Sequence, residues 1–96
     1  ISGFGADGPL RDEPSFDIVT QALTGVMSVN GPEGGPPTKL GLPVGDMSGA
    51  IFGAVSILAA LHERHATGRG RLIDVSLYDG TMSLLAHFAQ LPALTG

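Results

Sequence analysis

From Met47 to Leu61 the chain runs fifteen residues without a charged side chain. That run falls short of the ~18–20 apolar residues needed to cross a bilayer, so it reads as a buried helix, and no membrane partner is expected. Its ends are marked on both sides. Val44-Gly45-Asp46 follow a stretch rich in Gly and Pro, and the polar His62-Glu63-Arg64-His65 lead to Gly68, a helix-stop residue. Small residues Gly49, Ala50, Gly53, Ala54, Ser56 and Ala60 fall around much of the helix surface, so other backbones can approach closely. The Gly49-x-x-x-Gly53 spacing is one that membrane helix dimers use, and here it reads as dense packing in a soluble fold.

The 15 Gly and 7 Pro among 96 residues cut the remaining sequence into short pieces. Ile1–Phe4 reads as the end of a strand, and Gly5 to Pro14 as loop. Ser15 is placed to cap a helix whose apolar positions Phe16, Val19, Leu23, Val26 and Met27 follow the 3.6-residue period and which ends near Ser28. Asn30 to Pro43 cannot be a central helix or strand; loops of this length are usually functional. After the turn at Arg69-Gly70-Arg71, Leu72–Leu77 predicts a strand with Ile73, Val75 and Leu77 on its drier face. A last helix is expected from Asp79 to Gln90, with Met82, Leu85 and Phe88/Ala89 on one side and Pro92 ending it. This order predicts an α/β fold, part of an open, mainly parallel sheet flanked by helices.

With 43% apolar and 15% charged residues and a mean hydropathy of +0.27, the chain is the reverse of a disordered one. So apolar a chain with so many turns, beginning at Ile1 without an initiator Met, is expected to be an internal segment of a larger domain spanning all of 1–96. The net charge of −4, with the acids concentrated before residue 49, argues against a nucleic-acid partner. Zero Cys removes disulfides, thiolate metal sites and a cysteine nucleophile, and fits a reducing, cytoplasmic setting; no basic-then-apolar leader pattern is present.

Four sets of residues invite a functional reading. Gly3 to Gly8 matches G-x-G-x-x-G, yet Pro9 follows at once, Asp12 and Glu13 add negative charge, and no helix starts until after Pro14 to receive a pyrophosphate. His62 and His65 are three apart, lack the four-residue spacing and third ligand of a helical zinc site, and read as solvated helix-end residues; His87 reads as a partly buried packing residue, and no metal site is expected. Arg69 and Arg71 read as a solvated turn, while Lys39 has no assigned role. Asp46 has two readings. As the residue before the uncharged helix it is an N-cap accepting the amide of Ser48 or Gly49, or it is a carboxylate nucleophile at the edge of a cleft, with small neighbours Gly45 and Gly49. In both readings the helix N-terminus favours its ionised form.

Several segments together, ISGFGADGP, PSFDIVTQALTGVMS, GPPTKLGLPVGDMSGA and ILAALHERHATGRGRLIDVSLYDG, resemble the central part of the class III (CaiB/BaiF-type) CoA-transferases. That family includes formyl-CoA transferase, carnitine CoA-transferases and 2-methylacyl-CoA racemase, and its members are several times longer than this chain. The resemblance implies that 1–96 is one segment of the catalytic large domain, an open α/β sheet in an interlocked homodimer. It implies that Asp46 is the catalytic carboxylate, with covalent aspartyl intermediates that pass CoA from an acyl-CoA donor to a carboxylic acid acceptor. CoA thioester is then substrate, with no permanently bound cofactor.

In the racemase branch a histidine thirty residues before the aspartate shares the proton transfer. The matching position here is Phe16, which cannot exchange a proton. Phe16 would then line the acyl or thioester pocket, or else be a core residue of its helix; Gly45 and Gly49 are further candidates for substrate binding. Racemisation of a 2-methylacyl-CoA, or a structural segment with no activity of its own, are the alternatives to CoA transfer.

Overall fold

A computed structural model describes residues 1–88 and 90 of the chain. Three α-helices organise it: α1 (Asp17–Leu23), α2 (Val44–Thr67) and α3 (Leu77–Leu84), with a 3₁₀ turn at Val26–Val29. All three helices touch one another, and α2 with α3 forms the most extensive pair.

The buried stripe of α2 is made of its smallest residues, Gly45, Ser48, Gly49 and Gly53. A Cβ on Gly49 would collide with the side chain of Leu77, and one on Gly53 would meet Ile1 Cδ1 at 3.2 Å. On α3, a Cβ at Gly80 would meet Ser48 Oγ at 2.8 Å. Reciprocal glycines thus let the two helices approach closely, as the small-residue pattern predicts. The large apolar side chains of α2 point elsewhere: Ile51, Val55, Ile57 and Leu58 are exposed. The expectation of a buried helix is therefore corrected, because this chain has material to cover only the glycine stripe. At 24 residues α2 also exceeds the expected uncharged run, and by length and composition alone it is long and apolar enough to cross a membrane. The core helix of a soluble protein meets the same criterion.

The first helix differs from expectation at both ends. Phe16, not Ser15, occupies the cap position, in extended conformation and without a side-chain cap; Ser15 Oγ instead lies 3.1 Å from Thr20 Oγ1. The helix stops at Leu23, and Gly25 follows with φ of 80°, a left-handed conformation that glycine adopts without steric cost. Its buried face is also not the apolar one. Asp17, Thr20 and Gln21 are inside, whereas Phe16, Leu23 and Ile18 are exposed and only Val26, beyond the helix, joins the core.

Among the described residues the expected parallel sheet is reduced to one bridge, Ser2 with Ser76. Ser2 N–H donates to Val75 O at 3.0 Å and Leu77 N–H to Ser2 O at 2.9 Å. Leu72–Leu77 is not a strand, because Ser76 Oγ accepts the Asp79 N–H and starts α3 at Leu77. A ladder needs successive paired residues, and among the described residues the pairing with Ile1–Phe4 is the one bridge at Ser2 and Ser76. Residues 86–88 resume helix after a break at Leu85, and the expected stop at Pro92 lies outside the described residues. His87 is exposed, its ring edge-on to Phe88, which corrects the partly buried reading.

Candidate active site

The helix that carries Asp46 begins three residues earlier than its sequence suggests. Pro43 is the cap residue, so Asp46 stands inside the first turn and is not itself the cap. Among the described residues its carboxylate accepts no hydrogen bond, and the side chain is exposed. Proline fits this entry because the first amides of a helix have no intrahelical acceptor.

A carboxylate does cap this terminus, and it comes from another helix. Gly45 N–H donates to Asp17 Oδ1 at 2.8 Å, across 28 residues of sequence. The other Asp17 oxygen accepts from Gln21 Nε2 at 2.7 Å, one turn along α1. Gln21 then holds the incoming segment at both ends of its amide: Nε2 donates to Leu42 O at 3.1 Å, and Oε1 accepts the Leu40 N–H at 2.9 Å. Asp17 is nearly buried and Gln21 is fully so, and no buried side-chain polar atom among the described residues lacks a partner. An anion facing the N-terminus of α2 is also favoured by the helix dipole.

Close approach makes this cap possible. A Cβ at Gly45 would sit 3.2 Å from both Asp17 Oδ1 and the Thr20 side chain. One turn on, Gly49 is pressed against Leu77 of α3. Gly45 and Gly49 thus seat the backbone on either side of Asp46 against α1 and α3, and both are buried. Phe16 is 75% exposed. It immediately precedes Asp17 in the sequence, as Gly45 precedes Asp46, and the cross-helix hydrogen bond joins Asp17 to Gly45.

The remaining candidates lie elsewhere. His62 and His65 are exposed near the C-terminal end of α2, Arg71 pairs with Glu63 on the surface, and Lys39 Nζ donates to the neighbouring Leu40 O. Gly5 and Gly8 take left-handed conformations in a loop that leads to no helix before Asp17, so the G-x-G-x-x-G stretch faces no helix N-terminus. An open cleft of about 410 Å³ is lined by residues that include Phe4, Asp7, Leu10, Leu23, Tyr78 and Asp79, and Asp46 is not among them. Sequence spacing missed Asp17 and Gln21. Their signal in the sequence is a polar i, i+4 pair on the face opposite the apolar positions of the helix.

Comparison with known proteins places the chain in a family. Succinyl-CoA:mesaconate CoA-transferase of Haloarcula hispanica is 47% identical over 88 residues, which is 88% of this chain and 22% of that protein. Acetyl-CoA:oxalate CoA-transferase of Acetobacter aceti is 42% identical over 96 residues, covering 99% of this chain and 25% of its own length. The crystal structure of a CaiB/BaiF family protein from Brucella suis superposes with a TM-score of 0.94 at 30% identity, over 99% of this chain and 25% of that one. The chain therefore spans between a fifth and a quarter of these relatives. The family model for CoA-transferase family III matches residues 1–95, and the chain belongs to that family.

Proposed function

We propose that the full-length protein is an acyl-CoA:carboxylate CoA-transferase and that Asp46 is its nucleophile. One observation carries the reading: Asp46 is an exposed carboxylate free of side-chain partners among the described residues, in the first turn of a helix whose start is tied down by Asp17. A nucleophile must be accessible and carried on an anchored backbone, and both features support this reading.

In this reaction a carboxylate oxygen of Asp46 attacks the thioester carbonyl of the donor. The C–S bond breaks, leaving an aspartyl–acyl anhydride and CoA thiolate. The thiolate attacks the aspartyl carbonyl, releases the donor acid as carboxylate and forms an aspartyl–CoA thioester. The acceptor carboxylate then displaces the thiolate to give a second anhydride, and the thiolate attacks its acyl carbonyl, yielding the new acyl-CoA and free Asp46. No net proton is consumed. Acyl-CoA and a carboxylic acid are substrates, and CoA is not a resident cofactor.

Phe16 lines the acyl or thioester side of the pocket, while Gly45 and Gly49 support substrate binding through the packing they allow. The other walls of the pocket, and the partner subunit of an interlocked homodimer, belong to the full-length enzyme, in which 1–96 is one segment of the large domain. The test is hydroxylamine treatment of the full-length enzyme mixed with acyl-CoA. An aspartyl hydroxamate at Asp46, found by mass spectrometry, is the expected result. Absence of any adduct there, together with normal turnover, rules the nucleophile out, and α-deuterium uptake without an acceptor acid would assign racemisation instead.

A further inference from the structure

We infer that Asp17 and Gln21 are positioning residues for the Asp46 nucleophile, an inference that rests on the function proposed above. Four hydrogen bonds run in one chain from α1 to the segment entering α2. They join Gly45 N–H to Asp17 Oδ1, Asp17 Oδ2 to Gln21 Nε2, Gln21 Nε2 to Leu42 O, and Leu40 N–H to Gln21 Oε1. Three of the four end on residues 40–45, immediately before Asp46. The Asp46 side chain accepts no hydrogen bond of its own among the described residues, so what this segment fixes is the backbone that carries it, and this chain of bonds anchors that backbone.

The polarity of the network is fully specified. Asp17 offers two acceptors, and Gln21 must present its amide nitrogen to Asp17 and its oxygen to Leu40. Water cannot easily substitute, because both side chains are buried and their partners are already satisfied. A nucleophile displaced by a fraction of an ångström loses rate without losing substrate affinity, so these two residues act on turnover and not on binding.

The specified polarity permits a reciprocal test in the full-length enzyme. In Asp17→Asn one amide oxygen still accepts from Gly45, but the amide nitrogen opposes the Gln21 nitrogen. In Gln21→Glu two carboxylates face each other. The double variant Asp17→Asn/Gln21→Glu restores donor to acceptor between the pair and still accepts the Leu40 N–H, while a carboxylate oxygen replaces the donor that faced Leu42 O. Each single variant is expected to lower kcat about tenfold or more with KM for acyl-CoA changed less than about threefold, and the double variant to recover most of that kcat. Thr24→Val serves as a stability control. It removes a buried bond to Thr20 O on the same helix, and it is expected to lower the melting temperature while leaving kcat intact. Should Asp17→Asn or Gln21→Glu not fold, Gln21→Ala removes both loop bonds without burying a charge and carries the same expectation. Unchanged kcat in the folded single variants, or a loss matched by Thr24→Val at equal stability, overturns the inference. Full transfer activity in Asp46→Asn overturns it at its foundation, and that failure is told apart because it removes the nucleophile whatever Asp17 and Gln21 do.

Discussion

The carboxylate of Asp17 caps the helix that carries Asp46, through a 2.8 Å hydrogen bond from Gly45 N–H that spans 28 residues of sequence. One acid is buried and structural, and the other, one residue beyond the bonded glycine, is exposed. The buried acid positions and the exposed one reacts, so a substitution at Asp17 should lower turnover in part and one at Asp46 should remove it.

Asp46→Asn is expected to abolish CoA transfer, by at least about a thousandfold, while the folded protein melts as wild type does. An exposed side chain without partners contributes within ~0.5 kcal/mol of stability. Thermal denaturation beside a steady-state assay checks both halves.

Phe16→Ala separates the two readings of that ring. As a pocket wall its loss raises KM for acyl-CoA about tenfold, the equivalent of some apolar contact area, with the melting temperature preserved. A drop of several degrees with KM unchanged would make Phe16 a core residue of the full-length enzyme instead.

Gly49→Val is expected to cost about 1–3 kcal/mol by overpacking against the Leu77 side chain. Leu77→Ala in the same chain opens the space that valine fills, so the double variant should be more stable than the sum of the single effects predicts. Denaturant midpoints for the four members of the cycle measure this coupling.

Gly68→Ala tests the end of α2. Gly68 holds φ at 70° with its N–H on Arg64 O, and no other atom stands within 4 Å of a Cβ built there. The substitution therefore carries only the backbone cost of a left-handed alanine, about 1 kcal/mol, read as a small shift in melting temperature without change in turnover.

Much of this was legible in the order of residues. The uncharged run from Met47, closed by Gly68, marks a helix because local periodicity and stop residues act over a few neighbours, and the quoted blocks around Asp46 and Arg69 identify the family over nearly the whole chain. What the sequence could not decide were relationships between distant residues. Which face of α1 turns inward depends on what lies beside it. There the neighbour is a helix N-terminus with free amides, so Asp17 and Gln21 are buried and Leu23 is left outside. The start of α2 moved to Val44 because Asp17, far away in the chain, satisfies the Gly45 amide. Leu72–Leu77 has the alternation of a strand, but a strand is completed only by partners across its ladder, and here just Ser2 meets Ser76. Local sequence determined the helix and its acid; only tertiary hydrogen bonding decided how that acid is held, because the groups that hold it are separated along the chain and meet only on folding.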